Sequence, residues 1–271
     1  MVKLLRADLA HTLKSKCFWV CLILSFSLSV INNITLTPGW QENTSRLLLE
    51  SHSNSVIFIA IYTALFLGTG YAHNTIRNKL IIGSRRTDIY ISNLITVILG
   101  GWLIALAMIV PTIFTVCVFG KDFGMSEKEF AAKIITIICA FAAACAIFTL
   151  LGMLITSKSA NTAITITATF ALCVGAAVIM SFLQQPEFIT NYEMTVNGMT
   201  QTAPEPNPMY IAPGVKRDIL TSLNDVLPTG QIIQMETGEP HNAELMPLYS
   251  LGVISVTTAA GVLIFRRKDL K

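Results

Sequence analysis

Side chains that could carry chemistry are few in this sequence, and they are widely spaced. The six cysteines form no CxxC pair, and each lies within or beside an apolar run, where a thiol packs as a small hydrophobic group. The four histidines are dispersed, and no HExxH or GxSxG pattern supplies a set of metal ligands or a nucleophile. The residues concerned are Cys17, Cys21, Cys117, Cys139, Cys145, Cys173, His11, His52, His73 and His241. They predict neither a metal centre nor a disulfide framework.

The sequence also lacks a nucleotide-binding loop, because no GxxxxGKS or GxxxxGKT segment occurs in it. Its long apolar stretches contain no Asp, Glu, Lys or Arg that could bind a coupling ion or act as a catalytic acid or base at membrane depth. We therefore expect that the chain is not an enzyme and holds no cofactor. Energy for any uphill transport would come from another chain, and no nucleic-acid partner is expected.

The elements that must position any functional site are apolar helices. Hydrophobic residues make up 53% of the chain and charged residues 13%, about half the ~25% that is usual in soluble domains. Six stretches are long enough to cross a hydrocarbon core about 30 Å thick. They are residues 17–36, 53–73, 94–119, 134–155, 162–183 and 246–265. We expect an all-α integral membrane protein with six transmembrane helices in one domain, residues 1–271.

The charges between these stretches are distributed unevenly. One side carries most of the basic residues: Lys3, Arg6, Lys14, Lys16, Arg77, Lys79, Arg85, Arg86, Lys158, Arg266, Arg267, Lys268 and Lys271. The acids on that side are Asp8, Asp88 and Asp269. Because cytoplasmic loops are enriched in Lys and Arg, this pattern places both termini in the cytoplasm.

Residues 1–16 form an amphipathic segment ahead of the first stretch. Val2, Leu5, Leu9 and Leu13 recur at helical spacing, and basic residues occupy the other faces. This pattern predicts a helix that lies in the cytoplasmic surface of the membrane. A plain flanking helix that anchors the first span is a compatible alternative.

Residues 74–93 form the longest cytoplasmic link, NTIRNKLIIGSRRTDIYISN. The link mixes basic residues with Leu80, Ile81, Ile82 and Ile89, and Gly83 interrupts it. A loop that needed only solubility would not carry so many aliphatic side chains, so we expect it to dock a cytosolic protein. The alternative is a basic loop that rests on lipid headgroups.

Residues 184–245 form a long external loop. Its first part, which includes Pro204, Pro206, Pro208 and Pro213, is expected to resist regular structure. A second part is amphipathic, with one apolar helical face, and residues 228–230 break this helix before another short piece begins. The apolar face consists of Ile219, Leu220, Leu223, Val226 and Leu227. We expect the helix to lie on, or dip into, the outer surface, where it either caps a pathway or seals helix ends.

Small and hydroxyl side chains are frequent within the apolar stretches. The glycines, including Gly100, Gly101, Gly152 and Gly261, predict close helix packing. The threonines of the fifth stretch favour hydrogen bonds between helices over the lining of a path. They are Thr162, Thr165, Thr167 and Thr169.

In this arrangement the chain resembles the ABC-2-type permeases, the membrane subunits of ATP-binding cassette exporters. The resemblance covers essentially the whole chain. It is based on the basic amphipathic helix at 3–16, the aliphatic and basic loop between spans two and three, LPTGQ at 227–231, and GVLIFRRKDLK at 261–271. None of these segments is a catalytic signature, so the specificity comes from their order along six spans.

The resemblance implies partners and a docking site. The partners would be a cytosolic ATPase subunit of the ABC type, which would hold ATP and Mg, and a second permease copy in a homodimer or heterodimer within membrane lipid. In that family the loop between spans two and three forms the coupling helix, which docks the ATPase. Carried onto this sequence, the docking residues are Asn78, Lys79, Ile82, Gly83, Ser84, Arg85 and Arg86. The helix at 3–16 would rest on the same ATPase, and spans one, two and five would face the dimer axis and the translocation path.

The same resemblance assigns the external break to Leu227, Pro228, Thr229, Gly230 and Gln231 and the chain to the cytoplasmic membrane of a bacterium. It implies the permease subunit of an exporter, with an amphipathic peptide, an antibiotic or a lipid-like molecule as cargo. The alternative is a membrane sensor or scaffold that does not transport. Its external loop, 184–245, would bind a ligand, and its 74–93 loop would recruit a signalling protein.

Overall fold

The computed structural model describes residues 1–36, 52–119, 126–189, 192–195, 198–201, 204–237 and 240–268, and this part contains ten helices and four short strands. The helices are α1 (Val2–Lys14), α2 (Lys16–Leu36), α3 (His52–Ala72), α4 (Thr75–Ile81), α5 (Arg86–Phe119), α6 (Glu127–Leu154), α7 (Lys158–Leu183), α8 (Val215–Val226), α9 (Pro228–Thr237) and α10 (Met246–Arg267). The strands are β1 (Phe188–Ile189), β2 (Tyr192–Thr195), β3 (Gly198–Gln201) and β4 (Glu205–Pro206). Residues 269–271, part of the predicted basic tail, lie outside the described residues.

Six of these helices, α2, α3, α5, α6, α7 and α10, are long and apolar enough to cross a membrane. We refer to them in chain order as spans 1 to 6. Each coincides with one predicted stretch, so the architecture fits an all-α membrane protein. Their apolar segments are Lys16–Ile34, His52–Ala72, Arg86–Phe114, Lys128–Leu154, Lys158–Leu183 and Met246–Arg267.

Two spans begin earlier than the hydropathy of the sequence predicts. Span 3 begins at Arg86 rather than at residue 94, because Ile89 and Tyr90 are fully buried against the protein and extend the helix beyond the apolar run. Span 4 begins at Glu127 rather than at residue 134, because Ser126 and Glu129 form a capping box that satisfies the first N–H groups. Because span 3 begins at Arg86, the last part of the predicted loop 74–93 is helical.

Spans 2, 3 and 4 form the centre of the bundle. In their apolar segments 56%, 50% and 61% of the residues are buried, against 28%, 17% and 17% in spans 1, 5 and 6. Span 1 packs mainly on span 3, span 5 on span 2, and span 6 on span 4. The outer spans consequently present large apolar side chains such as Trp19, Phe170 and Leu248 at the surface of the chain.

The ends of the spans gather at two opposite ends of the bundle. At one end the Tyr71 hydroxyl of span 2 donates to the Met153 carbonyl of span 4 at 2.7 Å. We call this the basic end, since the described basic residues that the sequence places on one side lie here. At the opposite end the Glu236 carboxylate accepts from the Ser53 amide at the start of span 2 at 2.6 Å. The segments α8 and α9 and the four strands belong to this opposite end.

The described residues in the first part of the loop after span 5 are only partly irregular, so the prediction from its prolines is wrong in part. Residues 207–214, with Pro208 and Pro213, form no helix or strand, as predicted, whereas four short strands precede them. Strand β1 pairs with β4 in antiparallel register, and β2 pairs with β3. Pro206 is tolerated because it lies in a two-residue strand of a two-stranded sheet, where a missing N–H removes little pairing.

A buried polar seam joins spans 1 and 3. The hydroxyls of Ser25 and Ser29 donate to the carbonyls of Ile104 and Met108 at 3.1 and 2.5 Å. One turn further along, the Asn33 amide donates to the Thr112 hydroxyl at 3.1 Å. The spacing of four residues between Ser25, Ser29 and Asn33 places all three on one helix face, and this spacing is the signal in the sequence that indicates the seam. The seam lies beside Pro111, which has no N–H to pair with a carbonyl of the preceding turn.

Three of the four threonines of span 5, Thr162, Thr165 and Thr169, bond within their own helix, so the prediction of bonds between helices is wrong for these three. The hydroxyl of Thr162 donates to the Lys158 carbonyl, and that of Thr169 donates to the Thr165 carbonyl. The Thr165 hydroxyl donates to the Asn161 side chain, also one turn earlier. The acceptor four residues back is the nearest one available to a helical threonine.

Glycines allow close contacts between spans, as the sequence predicts. Gly261 of span 6 faces the buried ring of Tyr90 on span 3, and a Cβ atom at this position would overlap that ring. Gly252, nine residues earlier on the same helix, faces open space. Replacing each glycine by alanine therefore distinguishes the effect of close packing, which is present at Gly261, from the effect of helix propensity, which is present at both positions.

We expect Gly261→Ala to destabilise the protein by about 1–3 kcal/mol, because Tyr90 must move to make room for the methyl group. The thermal unfolding midpoint of the purified protein in detergent, followed by tryptophan fluorescence, measures the effect. Gly252→Ala is the matched control and should leave the midpoint unchanged or raise it. An equal response of the two variants would contradict the close contact.

Candidate functional site

The loop between spans 2 and 3 folds into a short helix followed by a tight turn. Helix α4 starts after Asn74, whose φ of 55° reverses the chain as span 2 ends. The turn at Ile82 and Gly83 needs a φ of +90° at residue 83, a conformation that glycine adopts without the steric penalty of a side chain. Span 3 then begins at Arg86.

The tip of this loop is apolar, basic and exposed. Ile81 and Ile82 are 73% and 84% exposed, and Ile82 is the most exposed large hydrophobic side chain in the described part of the chain. Gly83 and Arg85 beside them are also exposed. We call Ile81, Ile82, Gly83 and Arg85 the docking tip. Exposed neighbouring aliphatic side chains of this kind are typical of a surface that binds a partner.

A buried carboxylate anchors the docking tip to the bundle. Asp8 of α1 is 5% exposed, and its Oδ1 pairs with the Lys79 ammonium of α4 at 2.5 Å. Its Oδ2 accepts from the Ser92 hydroxyl of span 3 at 2.7 Å. One carboxylate therefore joins α1, α4 and span 3, and this contact between three elements is invisible in the sequence.

Helix α1 turns its polar side towards the protein to make this contact. Asp8 and Thr12 are buried, and Thr12 lies 3.1 Å from the Tyr62 hydroxyl of span 2. The predicted apolar ridge is exposed at its two ends, where Val2 is 80% and Leu13 is 53% exposed, and half-buried at Leu5 and Leu9 between them. The basic residues Lys3, Arg6 and Lys14 are exposed on a third face. The helix thus has one face for the protein, one that is apolar and one that is charged.

A cavity of about 180 Å³ lies between α1, α4 and spans 2 and 3. Phe66, Leu67 and Ile76 supply apolar walls, and Asp8 and Lys79 lie at its polar side. The space gives α4 room to shift relative to span 2 while the ion pair keeps it attached to α1.

A second set of contacts ties the end of the loop to spans 4 and 6. The Arg86 guanidinium donates to the carbonyls of Phe265 and Lys268, with 3.1 Å to the first. The Lys268 ammonium donates to the carbonyls of Met153 and Leu154 at 2.9 and 2.8 Å. These cations satisfy carbonyls that a helix end leaves without partners and oppose the negative end of the helix dipole. Burial lowers the pKa of Lys268 from its ordinary value.

The structure divides the predicted docking residues into two groups. Asn78, Ile82, Gly83 and Arg85 are exposed, and Ser84 is half-buried. The other two, Lys79 and Arg86, direct their charges to groups within the chain. The exposed group is available to a partner, whereas Lys79 and Arg86 hold the loop in place.

At the opposite end, the break at 227–231 sends the chain into the bundle. Helix α8 ends at Leu227, and Pro228 opens α9, where the missing N–H of a proline costs no helical hydrogen bond. Helix α9, the short piece predicted after the break, dips inward and packs on spans 4, 5 and 2. Its buried residues are Pro228, Thr229, Gly230, Gln231, Ile232, Gln234 and Met235.

Each polar residue of the break has a structural role. The Thr229 hydroxyl donates to the Leu172 carbonyl of span 5 at 3.0 Å. The Gln231 amide donates to the carbonyls of Asp225 and Met246 at 2.7 and 3.1 Å, and its oxygen accepts from Ser250 at 2.6 Å. Gly230 leaves space for the Asn224 side chain, which a Cβ atom would overlap.

A polar cavity of about 370 Å³ adjoins this break at the opposite end. Arg217 and Asp218 of α8 line it together with His241 and Gln184. Arg217 is held in place by the carbonyls of Ile211 and Leu183, to which its guanidinium donates at 2.8 and 2.9 Å. The cavity therefore brings a fixed cation and a carboxylate together with polar side chains.

No protein-family model matches this chain, and no curated protein matches it. The resemblance to ABC-2-type permeases therefore remains an interpretation of the sequence.

We expect Asp8→Ala and Lys79→Ala each to lower the thermal unfolding midpoint, by the equivalent of about 1–3 kcal/mol, since each leaves a largely buried charged or polar group without its partner. The double variant should cost clearly less than the sum of the single variants, because both remove the same contact. Arg77→Ala, on an exposed residue of the same helix, is the control and should have little effect. Additive losses from Asp8→Ala and Lys79→Ala would refute the coupling.

Proposed function

We propose that this chain is the transmembrane permease subunit of an ABC exporter, in which a separate ATP-binding subunit docks at the docking tip. The observation that carries the proposal is an exposed apolar and basic tip on a loop that Asp8 and Arg86 attach to the bundle. Burying an aliphatic side chain of this size contributes about 1.5–3 kcal/mol, so Ile81 and Ile82 suit the centre of a protein interface.

The contacts of Asp8, Arg86 and Lys268 are suited to transmit force from a bound partner to the spans. A push on α4 reaches α1 and span 3 through Asp8, and it reaches the ends of spans 4 and 6 through Arg86 and Lys268. The cavity beneath α4 allows the helix to move before its walls meet. Closure of an ATPase pair would in this way change the relative positions of the spans.

A permease subunit of this kind also requires a nucleotide site on its partner, a second permease copy, a defined orientation in the membrane and a cargo. ATP and Mg belong to the partner subunit, since this sequence has no nucleotide-binding loop. A second permease copy completes the translocation path, and the exposed apolar faces of spans 1 and 5 offer surface for it. The basic end and both termini lie in the cytoplasm of a bacterium. The cargo is an amphipathic peptide, an antibiotic or a lipid-like molecule.

A second candidate function is a membrane sensor or scaffold that binds a ligand outside and recruits a signalling protein inside. The polar cavity beside Arg217 and Asp218 favours it, because a cavity of about 370 Å³ can hold a small polar ligand. The docking tip would then receive the signalling protein, so the identity of the partner separates the two functions.

We expect tagged chain, solubilised from native membranes in gentle detergent, to retain an ATP-hydrolysing subunit in equal amount. Ile82→Asp and Arg85→Glu should each reduce its recovery at least about tenfold, since losing 1.4 kcal/mol of binding has that effect. Neither variant should lower the thermal unfolding midpoint, because both side chains are exposed.

Arg86→Glu and Arg77→Ala complete the experiment. Arg86→Glu should lower both recovery and the unfolding midpoint, since it removes the contacts with the Phe265 and Lys268 carbonyls. Arg77→Ala should change neither quantity. Recovery of the chain alone, or with a partner that does not hydrolyse ATP, would reject the exporter and favour the sensor or scaffold.

A further inference from the structure

Helix α8 is amphipathic, and its polar side faces the protein. Asn224 and Asp225 are 0% and 1% exposed. The Asp225 carboxylate accepts from the amides of Gln234 and Asn242 at 2.9 and 3.0 Å. The apolar ridge predicted on this helix is therefore not the surface that attaches it to the bundle.

The apolar residues of α8 form an exposed ridge on the other side of the helix. The exposed fractions are 74% for Val215, 61% for Ile219, 47% for Leu223 and 42% for Val226. Exposure falls steadily towards the point where the chain turns into the bundle as α9. The helix is thus inclined, with its C-terminal end deeper than its N-terminal end.

Two contacts fix the depth of α8 along span 5. The Arg217 guanidinium reaches the Leu183 carbonyl at the end of the span, and the Asn224 amide contacts the Met180 sulfur one turn earlier at 3.7 Å. Helix α8 therefore lies beside the last turn of span 5 and not beyond it. At the same level span 5 exposes Phe182 and Val178, so the ridge lies level with apolar surface of that span.

We propose that the ridge of Val215, Ile219, Leu223 and Val226 binds the lipid leaflet at the opposite end of the bundle, at the boundary between headgroups and hydrocarbon. A helix with one apolar face and a low overall hydrophobicity binds at that depth. Helix α1 has a comparable arrangement at the basic end, with Asp8 and Thr12 inward and Val2 and Leu13 outward. The chain would then be held at both membrane surfaces by helices whose polar sides are attached to the protein.

The lipid contact of α8 would also set the depth of α9. The Asp225 carbonyl accepts from Gln231, and its carboxylate accepts from Gln234, so two residues of α9 are bonded to the end of α8. A shift of α8 in the leaflet would move the inserted helix with it. This inference is independent of whether the chain is an exporter or a sensor.

Photocrosslinking of the full-length chain in vesicles of phosphatidylethanolamine and phosphatidylglycerol tests the lipid contact. Ile219 or Leu223 is replaced by an amino acid with a diazirine side chain, which reacts with whatever lies beside it on illumination. Val256, 69% exposed on span 6, is the control for a position in lipid, and the exposed Glu205 of β4 is the control for a position in water.

We expect a mass increase of one phospholipid at Ile219 and Leu223, as at Val256, and no lipid adduct at Glu205. A product of twice the chain mass at Ile219 and Leu223 would overturn the proposal and identify a second copy as the occupant. Absence of a lipid adduct at both positions while Val256 is labelled would overturn it as well, since the ridge would then face water or another part of the chain.

Discussion

Hydrocarbon offers no hydrogen-bond partner to a polar group of the backbone or of a side chain, and the polar contacts of this protein follow from that constraint. Within the spans, the buried hydroxyls of Ser25 and Ser29 find acceptors in the carbonyls of Ile104 and Met108. At the helix ends, long cationic side chains reach the last carbonyls: Arg86 and Lys268 at the basic end, and Arg217 at the opposite end. Each of these residues also links two elements, so the same contacts that satisfy polar groups hold the bundle together.

The two amphipathic helices, α1 and α8, follow the same constraint. An amphipathic helix in a protein surrounded by water buries its apolar face. Here α1 and α8 bury Asp8 and Asp225 instead, because the bundle offers partners to both carboxylates. A buried carboxylate is unfavourable unless each oxygen is paired, and both carboxylates meet this condition through two donors. The helix α4 that carries the docking tip and the inserted helix α9 are bonded to these two carboxylates.

The docking tip differs in position from the apolar ridge of α8. That ridge lies level with the end of span 5, where lipid can cover it. Ile81 and Ile82 lie at the tip of a loop between basic residues, on a helix attached by Lys79 and followed by Arg86. An exposed apolar tip at the end of such a loop favours a protein partner over lipid. The same geometry serves an ATPase or a signalling protein, which is why partner identity decides between the two functions.

The sequence by itself determined the six spans, the uneven distribution of charge and the break at 227–231, because hydropathy, charge and proline act locally along the chain. It also predicted glycines at close helix contacts, and the structure confirms this for Gly261. Three-dimensional contacts were needed to show that Lys79 and Arg86 turn inward, that the ridge of α8 turns outward, and that Thr162, Thr165 and Thr169 bond within their own helix. A side chain that can bond to protein, water or lipid takes the partner that lies nearest to it in space. That partner lies 71 positions away along the chain for Lys79 and 179 positions away for Arg86, so the local sequence does not reveal it.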